Sequence, residues 1–320
     1  MPLVNSTYKA PFFLRNGHIA TVIPSILREV SDIHYVRERI DTPDDDFLDL
    51  DWLTASSGTL AVITHGLEGS SNRPYVLGMG KYLYQNGIDV LAWNCRSCSG
   101  EINRQARFYH HGETQDIELV ISHALQTRAY KAVVLIGFSM GGSITLKYLG
   151  ENAHLVPKEV KTGVAISVPT DLRSSADQFE KAHMAFYRKR FLKKLELKVK
   201  VKAQLYPDKI EYLDFSKIRA FRHFDNTYTA PLHGFTDAND FYEKASAQNY
   251  IPGIRVPFLL INALNDPFLT PQCFPRSLAR DHPLFHLEIP DYGGHVGFTR
   301  YNSSISYMEM RTYEFAKNML

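Results

Sequence analysis

The chain has little cysteine and no long apolar run. Its three cysteines, Cys95, Cys98 and Cys273, are too few for the disulfide framework of a small secreted protein, so we expect a reducing cytoplasm. No apolar run reaches the roughly 18 residues of a membrane-spanning helix, and none is expected. Residues 1–9 lack the charged start and the apolar block of a signal peptide.

Neither sign of charge is in large excess. Lys and Arg number 36 and Asp and Glu number 34, which gives a formal net charge of +2. Because this creates no basic field over the whole molecule, nucleic acid is the least favoured partner. A chain of 320 residues that is 44% hydrophobic can bury one large core. We therefore expect a single α/β domain over residues 1–320.

One motif in the middle of the chain predicts a reactive serine. The segment Gly137-Phe138-Ser139-Met140-Gly141 follows a β-branched apolar run and precedes a helical pattern. In that context Gly-x-Ser-x-Gly is typical of a nucleophile elbow, a turn so sharp that side chains at the two glycine positions would collide with neighbouring elements. The strained turn exposes the serine hydroxyl. The pattern alone is weak, since an ordinary glycine-rich loop is the alternative, and its partners must support it.

Residues that can activate Ser139 follow it in the chain order Ser, Asp, His. The apolar run 256–262 predicts a buried strand, and Asp266 comes just after it. A short strand over 284–289 leads into a glycine-flanked loop that carries His295. A serine hydroxyl needs such a base to accept its proton, and the base needs an acid to orient it.

Each of these assignments has an alternative. Asp266 could cap a helix suggested after Pro271, and Asp291 lies closer in sequence to His295. We favour Asp266 because the orienting acid of this architecture sits at the end of a neighbouring strand. For His295 the alternative is a structural loop histidine.

The reaction also needs two backbone N–H groups for the negative oxygen of its intermediate. One is expected from Met140, the residue after the nucleophile. The other is expected from Leu67, in the loop that follows a strand over 60–64. His65 in this loop is interpreted as a residue that shapes the loop by bonding to its backbone, although a catalytic role is the alternative.

Four segments together resemble the α/β-hydrolase superfamily and, more narrowly, its YheT-like branch of predicted hydrolases. They are His65-Gly66-Leu67-Glu68-Gly69-Ser70, Gly137-Phe138-Ser139-Met140-Gly141-Gly142, Asn265-Asp266-Pro267 and Gly293-Gly294-His295-Val296-Gly297-Phe298. Residues 13–24 and 96–100 are similar to that branch too, although Ser97-Cys98 stands where a Gly-Cys pair is expected. The resemblance implies ester chemistry on acyl chains, because eukaryotic relatives of the branch include acylglycerol and phospholipid esterases and alcohol O-acyltransferases.

The order of predicted elements agrees with an α/β-hydrolase fold. Strands and helices alternate, which predicts a mostly parallel central sheet with helices on both faces. Two N-terminal strands, 34–40 and 47–52, show the alternation of an antiparallel edge. The alternation stops over 170–240, where hydrolases of this kind insert a helical cap (lid).

The predicted cap is basic. Between Lys181 and Lys202 nine Lys or Arg residues stand against one acid, Glu196. A lid that shapes acyl selectivity, a basic amphipathic helix that makes peripheral contact with anionic lipid, and the plain solvated face of a helical cap all fit this pattern.

Three other polar groups are given structural interpretations. The spacing of Cys95 and Cys98 matches a redox motif but lacks the helix start that lowers a thiol pKa. His111 and Asp116 have the spacing of an acyltransferase pair, yet Thr114 is well placed as a helix N-cap, so capping is favoured and the roles of His110 and His111 stay open. Asn16-Gly17-His18 is expected to fold near the pocket, and its role stays open.

The sequence thus predicts a serine esterase that cleaves esters of short or medium acyl chains, or lipid-like esters, through an acyl-enzyme. No metal or organic cofactor is expected, because Ser139, His295 and Asp266 supply the chemistry. An alcohol O-acyltransferase would use the same residues with an alcohol in place of water. A catalytically idle hydrolase that acts as a ligand receptor is the third alternative.

Overall fold

Nine strands form one sheet in the computed structural model, which describes residues 3–320. Residues 1 and 2, the start of the N-terminal stretch considered above, lie outside the described residues. In chain order the strands are β1 (Leu3–Val4), β2 (Val36–Thr42), β3 (Asp46–Leu53), β4 (Thr59–Thr64), β5 (Asp89–Asn94), β6 (Ala132–Phe138), β7 (Val160–Ile166), β8 (Phe258–Ile261) and β9 (Phe285–Glu288).

The sheet is mostly parallel, as predicted. Its spatial order is β1-β9-β8-β7-β6-β4-β5-β3-β2. In this spatial order, every neighbouring pair from β1 as far as β5 is parallel. Strand β3 runs antiparallel to both β5 and β2. The predicted antiparallel edge is therefore confirmed, with β2 as the outermost strand. The opposite edge, β1, was not predicted, because two residues are too few to show an alternating pattern.

Helices cover both faces of the sheet. They are α1 (Gly17–Leu27), α2 (Pro74–Gln85), α3 (Gln115–Thr127), α4 (Met140–Glu151), α5 (Leu172–Glu180), α6 (Ala185–Leu205), α7 (Phe221–Phe224), α8 (Ala230–Leu232), α9 (Ala238–Ala245), α10 (Arg276–Asp281) and α11 (Tyr307–Lys317). Strand β4 shows the two-sided burial: Leu60 and Val62 pack with α3 and α4, whereas Ala61 and Ile63 pack with α2 and α11. Such strands are apolar along their whole length because both faces are covered.

The helices α5–α9 lie between β7 and β8 in the chain. They include a π-helical turn, Asp225–Thr229, and are followed by a 3₁₀ segment, Ala247–Gly253. Part of this region has an apolar cluster of its own, to which Leu192, Val199, Ile210, Phe221 and Tyr228 contribute. Among the helices formed by residues 3–320, none combines the length and the apolarity that crossing a bilayer requires.

Candidate active site

Ser139 lies in a strained turn between β6 and α4. Its φ of 52° and ψ of −118° are rare for a residue with a side chain, and its N–H donates to the Ile166 carbonyl at 2.9 Å. A Cβ at Gly137 would lie 2.3 Å from the Gly141 carbonyl oxygen, and a Cβ at Gly141 would lie 2.2 Å from the Thr64 carbonyl oxygen. Both glycines are therefore needed for steric reasons, and the turn leaves the Ser139 hydroxyl at the floor of a cavity.

Three side chains that are far apart in the sequence form one chain of hydrogen bonds. His295 Nε2 lies 2.9 Å from Ser139 Oγ, and His295 Nδ1 lies 2.8 Å from Asp266 Oδ2. The other Asp266 oxygen accepts the Phe268 N–H at 2.9 Å. With Nδ1 donating to a buried carboxylate, the neutral ring presents Nε2 as acceptor for the Ser139 hydroxyl. Asp291, the alternative acid, is exposed.

The loop that carries His295 is fixed by hydrogen bonds from three consecutive backbone N–H groups. The Gly294 N–H donates to Asn265 Oδ1, the His295 N–H to Thr21 Oγ1 and the Val296 N–H to Ser167 Oγ, at 2.8 to 2.9 Å. The three acceptors come from the Asp266 loop, from α1 and from the end of β7. Sequence reasoning missed them, because a single polar residue gives no signal of a partner that is distant in the chain.

The N-terminal segment Asn16-Gly17-His18 begins the helix that supports this loop. Asn16 is the N-cap of α1, and its side chain accepts the N–H groups of His18 and Ile19. A Cβ at Gly17 would lie 1.9 Å from the Asn265 carbonyl oxygen, so α1 packs directly on the Asp266 loop. This close packing places the segment near the pocket, as expected, and gives it a structural role.

The loop after β4 packs against the nucleophile. A Cβ at Gly66 would lie 3.2 Å from Ser139 Cβ. His65 is fully buried, with Nδ1 2.7 Å from the Gly66 carbonyl oxygen and Nε2 accepting the Cys95 N–H at 3.1 Å. Burial lowers the pKa of His65 to about 4, so the ring is neutral.

Two backbone N–H groups near Ser139, those of Leu67 and Met140, are unpaired within residues 3–320. Within the part of the chain that the structure describes, no protein acceptor is bonded to the N–H of Leu67 or of Met140. Met140 is the first residue of α4, so its N–H also lies at the positive end of the helix dipole. The Leu67 N–H belongs to the loop after β4, and Leu67 and Ser139 line the same cavity.

A cavity of about 260 Å³ opens above Ser139 and His295. Its walls come mainly from α1, the loop after β4 and the helices α5–α9. Aromatic side chains form much of the lining: Phe108, Phe179, Tyr187, Phe191, Phe221, Phe224 and Phe268. The site thus combines an apolar chamber with a hydrogen-bonded hydroxyl, imidazole and carboxylate.

A second polar cluster lies near the far end of the cavity. Ligand atoms of His110, Glu113 and His233 lie within 4.8 Å of one another, a spacing suited to a metal ion. However, the Gly112 N–H donates to His110 Nδ1 at 3.1 Å, and Arg107 Nη1 donates to the Glu113 carboxylate at 3.0 Å. Because these bonds already engage two of the three groups, the donor set favours an internal polar network over a cation site.

The acyltransferase-like pair is not formed. Asp116 accepts two bonds from Arg96, at 2.8 and 2.9 Å, and does not bond to His111. Thr114 holds the N-cap position of α3 without capping through its side chain. Thr114 is thus the N-cap residue, as predicted, but the predicted capping through its side chain is wrong because its hydroxyl donates to Glu151 at 3.0 Å. All three cysteines are buried free thiols.

Comparison with known proteins gives concordant matches. A family model described as alpha/beta hydrolase fold matches residues 61–300. The Escherichia coli (strain K12) protein named Putative esterase YheT is 32% identical over 289 residues, which cover 88% of this chain and 84% of the relative. Phospholipase ABHD3 of Mus musculus is 25% identical over 100% of this chain and 80% of its own length.

Two further matches agree with these. A monoacylglycerol lipase of Saccharomyces cerevisiae is 28% identical over 80% of this chain and 58% of its own length. The solved structure of the Pyrococcus furiosus esterase PF2001 superposes with a TM-score of 0.59 over 91% of this chain and 96% of that one. At 20% identity, this structure is similar in fold alone.

Proposed function

Since the chain belongs to the α/β-hydrolase family, in the branch that contains YheT, we propose that it hydrolyses carboxylic esters with Ser139 as the nucleophile. It is a carboxylic ester hydrolase: relatives that match it along most of its length are named esterase, phospholipase and monoacylglycerol lipase. The single observation that supports the mechanism best is the hydrogen-bonded chain from Ser139 through His295 to Asp266.

In this mechanism an acyl-enzyme forms and is then hydrolysed. Ser139 Oγ attacks the ester carbonyl while His295 Nε2 accepts its proton, and the imidazolium is stabilised by the buried Asp266 carboxylate. His295 then protonates the departing alcohol. Water repeats the sequence on the acyl-enzyme, with His295 as the base, and releases the acid.

The negative oxygen of each tetrahedral intermediate is assigned to the N–H groups of Leu67 and Met140. Both lie beside Ser139 without a protein acceptor among residues 3–320. One such donor lowers the activation free energy by roughly 3–4 kcal/mol in serine hydrolases. His65 supports this role indirectly, because its bonds to Gly66 and Cys95 fix the loop that carries Leu67.

We assign α5–α9 the role of a cap that shapes the acyl site. These helices supply Phe179, Phe191 and Phe221 to the cavity wall. An apolar chamber of about 260 Å³ suits a short or medium acyl chain or the first part of a longer one. The substrates proposed are therefore small esters or lipids with such acyl groups.

The test is a series of p-nitrophenyl esters of increasing acyl length. Ser139→Ala and His295→Ala should lower kcat by roughly 10³-fold or more, and Asp266→Asn by a large but smaller factor. Ser143→Ala is the matched control, because it removes a buried hydroxyl of α4 that has no hydrogen-bond partner among the described residues. Activity close to that of wild type in Ser139→Ala or His295→Ala would contradict the assignment.

A fluorophosphonate probe separates an enzyme from an idle receptor. Wild-type protein should be labelled at Ser139, and Ser139→Ala should not. Folded wild-type protein that resists labelling would favour the receptor. Adding a short alcohol to the ester assay tests for acyl transfer, since an acyltransferase would form the new ester rather than the free acid.

A further inference from the structure

Basic side chains converge on the loop that carries Leu67. Arg73 Nη2 and Lys194 Nζ both donate to the Glu68 carbonyl oxygen, at 3.0 and 3.2 Å. Glu68 is the residue after Leu67, so both charges lie next to the proposed site of the ester oxygen. Arg73, Arg190, Lys194 and Lys198 all line the same cavity as Ser139.

The carboxylate of Glu68, the acidic side chain of this loop, already has partners within the protein. The Glu68 carboxylate accepts Lys198 Nζ at 2.7 Å and the Tyr109 hydroxyl at 2.5 Å. Among residues 3–320, no carboxylate lies within 4.0 Å of the charged groups of Arg73, Arg190 or Lys194. Three positive charges at the cavity are therefore not balanced by the protein.

Placing these positive charges close together at the cavity destabilises the protein when no anion is bound. Arg190, Lys194 and Lys198 are spaced four residues apart on α6, so they lie on the same side of the helix, where like charges repel. Burial, together with Arg73 and Arg190, lowers the pKa of Lys194. Lys194 and Lys198 are half-buried, and Arg190 lines the cavity but is exposed. Because Lys189, Lys193 and Lys200 on the same helix are exposed to solvent at no such cost, the half-buried charges at the cavity are best explained by a ligand.

We infer that Arg73, Arg190 and Lys194 form a subsite for a phosphate group on the alcohol part of the substrate, so that the preferred substrates are acyl esters of a phosphorylated alcohol such as glycerol phosphate. This inference rests on the proposed ester hydrolysis and names the substrate class of that site. We refer to Arg73, Arg190 and Lys194 as the anion subsite.

The chemistry of the two parts of the cavity supports this division. An arginine can bind two phosphate oxygens at once, and a lysine adds a compact charge that reaches a third. The aromatic walls from Phe179, Phe191 and Phe221 suit the acyl chain. Because an ester has two parts and the acyl part is apolar, the anionic group belongs to the alcohol part.

The experiment compares 1-octanoylglycerol with 1-octanoylglycerol 3-phosphate, which differ only in the phosphate. The readout is the ratio of their kcat/KM values. We expect wild-type enzyme to favour the phosphorylated ester by roughly tenfold or more, and Lys194→Gln or Arg73→Gln to lower this ratio about tenfold. Both substitutions keep an N–H donor for the Glu68 carbonyl. Lys194→Arg should retain the ratio because it retains the charge.

The control is Lys193→Gln, which removes an exposed charge from the same helix next to the subsite residue. It should leave the ratio unchanged. The inference would be overturned if wild-type enzyme had the same kcat/KM for both esters. It would also be overturned if the ratio of kcat/KM values were the same in Lys193→Gln and Lys194→Gln.

A binding measurement separates this inference from the proposed function. Calorimetry with glycerol 3-phosphate on Ser139→Ala needs no catalysis, and Lys194→Gln in that background should weaken binding about tenfold. Binding that depends on Lys194, together with no hydrolysis of either ester by wild type, would refute the reaction and retain the subsite. Hydrolysis of the neutral ester without such binding would refute the subsite and retain the reaction.

Discussion

Asp225 is a buried carboxyl group in the wall of the cavity. It lies in the π-helical turn Asp225–Thr229 and accepts hydrogen bonds from the Thr229 and Tyr242 hydroxyls, each at 2.7 Å. Burial raises the pKa of Asp225 to about 6, although both hydroxyls lower it. The loss of hydration therefore outweighs the two bonds, and the folded protein holds this proton more tightly than the unfolded chain does.

Asp225→Asn should remove the loss of folding stability that ionisation of this buried carboxyl causes at higher pH. Because the folded pKa lies above the unfolded value of 3.8, the free energy of unfolding falls as pH rises from about 4 through about 6. Two pKa units correspond to about 3 kcal/mol. Asp225→Asn should therefore be more stable than wild type by up to about 3 kcal/mol at pH values above the folded pKa, and this difference should vanish near pH 4.

Urea unfolding of both proteins from about pH 4 to about pH 8 gives the comparison. Asp208→Asn, at an exposed position after α6, is the control and should follow the wild-type curve. A stability difference between Asp225→Asn and wild type that did not change with pH would contradict the raised pKa.

Single residues also show where sequence reasoning works and where it fails. Ser139 could be selected because its motif carries a steric reason, and Asp266 and His295 could be selected because chain order restricts the candidates. The structure brings the three together, and their roles stay a prediction until the variants are measured. Thr21 could not be selected, because only the folded chain brings its hydroxyl to the His295 N–H.

At the scale of elements, α1 acts as a support for the His295 loop. A Cβ at Gly297 would lie 2.2 Å from the Ala20 carbonyl oxygen, and the Thr21 hydroxyl accepts the His295 N–H at 2.8 Å. The helix was not predicted, because Pro24 stands inside it and a proline normally ends a helix before its own position. Pro24 has no N–H, so the Ala20 carbonyl is left without its helical partner, and Gly297 packs against it.

Thr21→Val should slow the reaction while the fold remains. Valine has nearly the same shape but cannot accept the His295 N–H, which costs about 1–2 kcal/mol in the placement of that loop. We expect kcat on a p-nitrophenyl ester and the rate of fluorophosphonate labelling to fall about tenfold together. The melting temperature should change by only a few degrees.

Ser25→Ala on the same helix is the matched control. Its hydroxyl donates only to the Val22 carbonyl within α1, so its removal should leave the labelling rate unchanged. If Thr21→Val labelled at the wild-type rate, α1 would have no part in placing His295.

The ends of strands were predicted less well than their existence. Strand β7 ends at Ile166 because Ser167 turns the chain with a φ of 56°. The next strand was predicted from 256, yet β8 begins at Phe258 because Pro257 has no N–H for the sheet. Apolar periodicity does not report such turns, so boundaries shift by about two residues.

At the scale of the whole molecule, the fold and the family were predictable together. The alternating elements indicated a mostly parallel sheet, and both the fold and the resemblance to α/β hydrolases are confirmed. The path of the inserted helices was not predictable. Their packing depends on contacts such as Lys198 with Glu68, which lie 130 positions apart in the chain and leave no local pattern.

The outer surface beside the cavity combines apolar and basic side chains. On α6, Phe186 and Leu197 are each 60% exposed, and Lys189, Lys193 and Lys200 of the same helix are exposed too. On α1, which lines the same cavity, Ile26 and Leu27 are exposed by 61% and 70%. We call this surface, formed by the outer sides of α6 and α1, the entrance face. Apolar groups beside Lys residues are the combination that suits the interface of an anionic bilayer.

We therefore predict that the entrance face makes peripheral contact with anionic lipid. The protein should sediment with vesicles of phosphatidylcholine and phosphatidylglycerol but not with phosphatidylcholine alone. Each lysine near an anionic surface contributes about 1 kcal/mol to the free energy of membrane binding. The triple variant Lys189→Glu, Lys193→Glu and Lys200→Glu should therefore bind at least roughly 100-fold more weakly than wild type. High salt should weaken wild-type binding for the same reason.

The control reverses three charges at the other end of the sheet. Lys131, Lys158 and Lys161 are exposed near the starts of β6 and β7, whereas Ser139 lies at the end of β6. If the bilayer is contacted through the entrance face, this triple variant should sediment as wild type does, because its charges point away from the membrane. Equal losses in both triple variants would mean that net charge alone governs binding, and the entrance face would then have no special role.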